Sequence, residues 1–174
     1  FSYEESYGYM MGDYVRDKDA VTAALVATEM AAWYYDRGMT LYDALQELYA
    51  KYGDYAEKTL NLVMPGLDGL AKMAKLMADL RERPLTEIAG VAVTLRKDYS
   101  TGIEEDLTAG TKAEMELKGS NVLKYKLADG TDLVVRPSGT EPKVKVYILA
   151  QGAGKAECAE KVAKYEAWAE TLKG

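Results

Sequence analysis

Residues 123–148 decide the fold, and they read LKYKLADGTDLVVRPSGTEPKVKVYI. Apolar and polar residues alternate in three stretches of this region, around Tyr125, Val135 and Val146, which predicts half-buried β-strands. Asp129 and Gly130 separate the first two stretches, and an Asp-Gly pair between alternating stretches is a strong signal for a hairpin turn. The region therefore predicts consecutive antiparallel strands.

The segment between the second and third strands runs from Arg136 to Lys143 and has the composition of an anion-binding loop. Arg136 offers a planar fork of donors that suits two oxygens of a phosphate. Ser138 and Thr140 add hydroxyls, and Gly139 lets backbone N–H groups turn inward to form an anion nest. The alternative is an ordinary turn between strands, because Pro, Ser and Gly are common turn formers. The flanking Arg136 and Lys143 favour the phosphate site.

The same periodicity predicts the other elements of this half of the chain. They are a strand at residues 60–64, a helix at 70–80, a strand at 91–95 and a last helix from about 155. The long polar stretch from 97 to 120 is interpreted as a loop or an irregular edge. The order strand, helix, four strands, helix predicts an α+β fold, an antiparallel sheet with helices packed on one side.

Upstream, apolar residues recur at helical spacing over 21–35, with Asp17 or Asp19 available to cap the start of an amphipathic helix. A second helix begins at Thr40, where Thr40 and Asp43 stand at capping-box spacing. Each helix is followed by a glycine. These helices are predicted to complete a preceding domain whose sheet is absent from the sequence. Their partly uncovered apolar faces predict either self-association or mobility of this segment.

Composition excludes several classes of function. The formal net charge of −6 disfavours nucleic acid and anionic membranes as partners. No apolar run of about 18 residues and no signal-peptide pattern occur, so neither membrane insertion nor export is indicated and a cytoplasmic location is expected. Without histidine, and with Cys158 as the one cysteine, the sequence offers no Ser-His-Asp triad, no His-ligated zinc site and no internal disulfide.

Two motifs resemble those of one enzyme family. The run from Arg136 to Lys143, followed by Val-Lys-Val-Tyr, resembles the C-terminal phosphate-binding loop of the α-D-phosphohexomutases, the phosphoglucomutase/phosphomannomutase family. Residues 1–8, FSYEESYG, and 16–21, RDKDAV, resemble that family's sugar-recognition loop and the segment after it. The resemblance implies that residues 1–54 are the C-terminal end of domain 3, an α/β domain, and that residues 55–174 are domain 4, with a TATA-binding-protein-like architecture.

The resemblance also implies the residues of the phosphate site. The phosphate that is not being transferred would be bound by Arg136, Ser138, Gly139 and Thr140. Lys145 or Lys143 would supply further positive charge. Lys145 shares a strand face with Tyr147, so it can point toward a cleft; the alternative is a solvated lysine on a half-exposed strand.

In the N-terminal motif, Glu4 and Ser6 match the family positions that hydrogen-bond the sugar 3- and 4-hydroxyls, while Glu5 is expected to face away. Lys18 matches a family lysine near the reacting phosphate, where it would stabilise developing charge or move a proton. The alternative for residues 4–6 is an acidic loop that occurs by chance. The alternative for the charged run at 16–19 is a solvated helix start.

The reaction implied by the resemblance interconverts hexose 1-phosphate and hexose 6-phosphate through a phosphoserine, with Mg²⁺ and a hexose 1,6-bisphosphate intermediate that also acts as activator. The sequence contains neither the catalytic serine motif nor the D-x-D-x-D-R magnesium loop of that family. It is therefore expected to be the C-terminal part of a longer enzyme, to need missing N-terminal domains as partners, and to be inactive alone.

The alternative function is a free-standing module that binds phosphate or a sugar phosphate without catalysis. A nucleic-acid-binding module, suggested by the fold type alone, is opposed by the net charge. The full reading frame of the parent gene would discriminate between part of a longer enzyme and a free-standing binding module. The motifs do not distinguish glucose, mannose, glucosamine and pentose phosphates, although they look closest to the bacterial phosphoglucomutase/phosphomannomutase branch.

Overall fold

The computed structural model describes residues 1–4 and 6–173, so the expectation for Glu5 lies outside the described residues. The chain divides into two compact units, Phe1–Tyr52 and Gly53–Gly174. Each is described by itself below.

The first unit consists of a small hairpin and two helices. The hairpin pairs β1 (Ser2–Tyr3) with β2 (Tyr9–Met10). The helices are α1 (Ala20–Tyr35) and α2 (Leu41–Tyr52).

Side-chain caps begin both helices. The Asp19 carboxylate accepts hydrogen bonds from the backbone N–H groups of Val21 (2.9 Å) and Thr22 (3.4 Å), so Asp19 rather than Asp17 caps α1. At α2, the Thr40 hydroxyl accepts from the Asp43 N–H at 3.2 Å and the Asp43 carboxylate accepts from the Thr40 N–H at 2.8 Å. These reciprocal bonds confirm the predicted capping box, which satisfies backbone donors that a helix start would otherwise leave unpaired.

The prediction that α1 is amphipathic is wrong. Its sequence, AVTAALVATEMAAWYY, carries Glu29 as its one charged residue, so apolar side chains surround the helix on nearly all sides. No residue of α1 is buried within the structure described, and Val21 is 79% exposed. A helix that is apolar all round is the kind that proteins normally bury between other elements.

The second unit is an antiparallel sheet with two long helices. Its strands are β3 (Asp54–Val63), β4 (Glu87–Ile88), β5 (Val91–Asp98), β6 (Ile103–Asp106), β7 (Thr111–Glu114), β8 (Leu123–Leu127), β9 (Asp132–Pro137) and β10 (Lys143–Gly152). They run in the order β3-β10-β9-β8-β5-β6-β7, with β4 paired to β5. The helices are α3 (Gly69–Glu82) and α4 (Lys155–Glu170), and a short 3-10 helix, Thr171–Lys173, follows α4. This architecture confirms the predicted α+β fold.

One face of the sheet holds the core and the other holds charged residues. Leu60, Val146, Val135 and Leu123 stand side by side on four neighbouring strands and are all buried. Met77 of α3 and Tyr165 of α4 belong to the same cluster, so both helices cover this face. Because successive side chains alternate across a strand, the row beside it, Asn61, Lys145 and Arg136, faces the opposite way.

The interpretation of residues 97–120 as a loop or irregular edge is correct in placing the stretch at the edge of the sheet but wrong about its irregularity. The stretch extends β5 to Asp98 and then forms the hairpin of β6 and β7. Cross-strand ion pairs hold it: Arg96 with Glu105, Lys97 with Glu104, and Lys112 with Glu105. Opposite charges facing each other across strands stabilise pairing without the apolar alternation by which strands are recognised in a sequence.

Candidate functional site

The loop between β9 and β10 is anchored at its base by backbone hydrogen bonds. The Ser138 N–H donates to the Lys143 carbonyl at 2.9 Å, and the Lys143 N–H donates to the Glu141 carbonyl at 2.7 Å. The Met64 N–H, just beyond β3, donates to the Pro142 carbonyl at 2.8 Å. The loop is therefore tied both to its own strands and to the neighbouring strand of the same unit.

Ser138 also organises the interior of the loop. Its hydroxyl accepts hydrogen bonds from the backbone N–H groups of Thr140 and Glu141, both at 3.3 Å. A Cβ added at Gly139 would meet no heavy atom within 4 Å, so glycine is not needed there for packing inside the protein. Its missing side chain instead leaves the backbone open to whatever occupies the loop.

The loop and the start of β10 line one open cavity of about 410 Å³. Its walls are Arg136, Pro137, Ser138, Gly139, Thr140, Glu141, Lys143 and Lys145. Three formal positive charges thus face one negative charge, and two hydroxyls stand between them. A locally positive cavity on an acidic chain is suited to an anion with several oxygens.

The cations of this cavity differ in their surroundings. Arg136 is exposed at the end of β9, and among the described residues its guanidinium has no hydrogen-bond or ion-pair partner. Lys143 forms an ion pair with Glu141. The Lys145 ammonium nitrogen lies 5.9 Å from the centroid of the Tyr147 ring, on the strand face that also carries Arg136.

The sugar-loop candidates lie together in the first unit. The Ser6 hydroxyl donates to Glu4 Oε1 at 3.0 Å, and Lys18 Nζ lies 3.8 Å from the same oxygen and 3.3 Å from Asp17 Oδ1. The hydrogen bond with Asp17, with further attraction from Asp17 and Glu4, raises the pKa of the Lys18 ammonium. Lys18 is therefore a firmly protonated cation.

Gly8 makes this cluster sterically feasible. A Cβ at Gly8 would lie 2.5 Å from both Glu4 Oε1 and Lys18 Cγ, which is far inside a normal contact distance. Any other residue would push apart Glu4, which the resemblance assigns to the sugar hydroxyls, and Lys18, which it assigns to the reacting phosphate. The structure thus gathers Glu4, Ser6 and Lys18 in the first unit and the Arg136 loop residues in the second.

The sequence gives no separate prediction for Glu141. In the structure its carboxylate, carbonyl and N–H all make contacts inside the loop. A carboxylate two positions before a lysine at the entry of a strand is the signal that could have drawn attention to the pair.

Among residues 1–4 and 6–173, no group of three or more acidic, cysteine or histidine side chains could hold a metal ion. No helix in the same ranges has the length and apolar character needed to cross a membrane.

Comparison with known proteins defines the class of protein to which this fold and loop belong. The family model described as the phosphoglucomutase/phosphomannomutase C-terminal domain matches residues 60–165, and the model of the family's alpha/beta/alpha domain III matches residues 1–52. The chain belongs to the phosphoglucomutase/phosphomannomutase family and corresponds to its C-terminal part.

Similar proteins include phosphoglucomutases of staphylococci. The chain is 36% identical to that of Staphylococcus haemolyticus over 148 residues, covering 85% of this chain and 27% of the relative. It is 33% identical to that of a bovine strain of Staphylococcus aureus over 162 residues, covering 93% of this chain and 29% of the relative. The chain thus spans less than a third of the length of these relatives.

A solved structure supports the fold. The open form of parafusin, a phosphoglucomutase from Paramecium, aligns with 97% of this chain and 29% of its own, with a TM-score of 0.57 and 16% identity.

Proposed function

We propose that residues 136–145 bind the phosphate of a hexose phosphate that is not being transferred. The observation that carries the proposal is the Arg136 guanidinium, which has no partner among the described residues and borders a cavity shared with Ser138 and Thr140. A planar guanidinium can donate two parallel hydrogen bonds to phosphate oxygens, and the hydroxyls can donate to the remaining ones. Lys145, opposite Arg136 in register, adds positive charge from the next strand.

The proposal extends to the first unit. Glu4 and Ser6 would bind neighbouring hydroxyls of the sugar, because a carboxylate accepts from two donors while a serine donates or accepts. Lys18 would stabilise negative charge near the reacting phosphate rather than move a proton, since its neighbours Asp17 and Glu4 raise the pKa of its ammonium. Residues 1–54 would then be the end of the family's domain 3, and residues 55–174 its domain 4.

In the whole enzyme, these groups would serve reversible phosphoryl transfer between O1 and O6 of a hexose through a phosphoserine and a bisphosphate intermediate. The phosphate loop must receive either phosphate of the reoriented intermediate, so it should recognise the phosphate and little of the sugar. Mg²⁺ would neutralise charge on the transferred group when bound. The described residues offer no cluster that fits the ion.

The test is an NMR titration of this chain with inorganic phosphate and with glucose 6-phosphate. The phosphate-binding loop without the rest of the active site is expected to bind with a dissociation constant on the order of millimolar. Chemical-shift changes should concentrate at residues 136–145. Loop resonances that do not move at tens of millimolar ligand would reject the assignment.

A further inference from the structure

We propose that Glu141 competes with phosphate inside the loop: its carboxylate pairs with Lys143, and it thereby weakens the loop's affinity for anions. This inference rests on the proposed function of the loop and adds a residue that sets how tightly the phosphate is held.

The geometry places the carboxylate inside the site rather than beside it. Glu141 pairs with Lys143, and both residues line the cavity that Arg136 and Ser138 also line. The Lys143 side chain is 25% exposed and that of Glu141 is 59% exposed. The ion pair is therefore open to solvent on the carboxylate side, where an entering anion would meet it.

The backbone of Glu141 is held at both of its polar groups. Its N–H donates to the Ser138 hydroxyl at 3.3 Å, and its carbonyl accepts from the Lys143 N–H at 2.7 Å. Pro142 follows, which restricts the conformation of the residue before it, and the Pro142 carbonyl is anchored by the Met64 N–H. The backbone from which the Glu141 side chain extends is therefore held in place, and the loop conformation keeps its carboxylate close to Lys143.

Glu141 disfavours the binding of phosphate in two ways. Lys143 can contribute fully only after it leaves Glu141, and the carboxylate that remains repels the dianion across a short distance. Of the cations that line the cavity, Lys143 is the one that must leave Glu141 before it can bind the ligand fully. Weakened binding suits a site that must release one phosphate of an intermediate and accept the other, because overly tight binding of the intermediate would slow the exchange.

The test compares Glu141→Gln with Glu170→Gln, each binding inorganic phosphate at low ionic strength. Glu170 is the matched control because it forms an ion pair with Lys173 after α4, so both variants remove one carboxylate of the same unit. Glu141→Gln is expected to lower the dissociation constant about three- to tenfold, whereas Glu170→Gln changes it less than about 1.5-fold. Glu141→Ala serves as a second variant and should give the same gain.

The role of Lys143 is tested by repeating the comparison in a Lys143→Gln background. There the gain from Glu141→Gln should shrink to less than half, because the cation that it releases is gone. Binding by the parent chain with no gain in either Glu141 variant would overturn this inference and leave the phosphate site standing. Absence of phosphate binding by the parent chain and by both Glu141 variants would overturn the proposed function and this inference together.

Discussion

Lys145 lies directly opposite Arg136 in the register of β10 and β9, and both side chains leave the sheet on the face away from the buried core. Neighbours in this arrangement have their Cβ atoms about 5 Å apart. The pairing brings a cation from β10 next to the first residue of the loop motif. It also means that a rigid sheet, rather than the loop alone, positions the positive charge.

The first prediction separates donor geometry from charge at this pair. Arg136→Lys keeps the charge but loses the bidentate fork, whereas Lys145→Ala removes a charge and leaves the fork intact. We expect Arg136→Lys to weaken phosphate binding more than Lys145→Ala, by about tenfold against about threefold. NMR titration of the three chains measures the ratio. A larger loss of phosphate affinity with Lys145→Ala would contradict the prediction and indicate that Lys145 of β10, not Arg136 of β9, is the main phosphate-binding residue.

The second prediction concerns catalysis by this polypeptide. Incubated with glucose 1-phosphate, Mg²⁺ and a catalytic amount of glucose 1,6-bisphosphate, it should produce no glucose 6-phosphate. The reason is that its sequence has neither the serine motif nor the D-x-D-x-D-R loop on which the family's transfer depends. A coupled dehydrogenase assay follows the product, with a full-length family member as the positive control. Product formation proportional to the concentration of this chain would contradict the prediction.

The third prediction concerns local stability in the first unit. Its hairpin pairs only two residues of β1 with two of β2, and Tyr3 and Tyr7 are 74% and 86% exposed. Amide exchange at residues 2–4 and 6–14 should therefore be fast, while the amides of β9 and β10 exchange slowly. Hydrogen exchange followed by NMR compares both regions in one sample. Equal protection would mean that the hairpin is covered by another surface, such as a second copy of the chain.

The fourth prediction contrasts two buried tyrosines. The Tyr165 hydroxyl donates to Asp129 Oδ2 at 2.6 Å, whereas the hydroxyl of Tyr125 has no partner among the described residues. Tyr165→Phe should lower the free energy of unfolding by about 1.5–3 kcal/mol because it removes a hydrogen bond to a carboxylate. Tyr125→Phe should raise it by about 1 kcal/mol because it removes an unsatisfied buried hydroxyl. Urea unfolding of both variants provides the comparison, and a destabilising Tyr125→Phe would indicate an undetected partner.

The fifth prediction is a pH dependence that follows from Tyr125. Burial raises the pKa of its phenol to about 12, above the ordinary value of 10.0 that it would have in the unfolded chain. Ionisation of the phenol therefore favours the unfolded state, so the stability of the fold relative to the ionised chain is fully present below about pH 10 and is lost as the pH rises through about 12. Stability measured between pH 9 and about 11.5 should fall less steeply for Tyr125→Phe than for the parent chain. Parallel curves for the two chains would contradict the assignment.

Features encoded by neighbouring residues were predictable from the sequence. The capping box at Thr40 and Asp43, the hairpin between β8 and β9 and the alternation of Val144, Val146 and Ile148 all formed as predicted. Each depends on residues within a few positions of one another, where turn chemistry and side-chain periodicity determine the outcome. For the same reason, the Arg136 loop could be predicted from composition as a candidate anion site, and its cations and hydroxyls line one cavity.

Other features were decided only by the tertiary structure, because they join residues that are distant in the sequence. Periodicity assigned Lys145 to a strand face, but strand register determined that Arg136 and Asn61 stand beside it. The hairpin of β6 and β7 went unrecognised because cross-strand ion pairs, not apolar alternation, hold it to β5. The residue order was therefore enough to predict elements that depend on neighbouring residues, whereas the three-dimensional pairing of strands decided which charges meet, since electrostatic partners depend on distance in space.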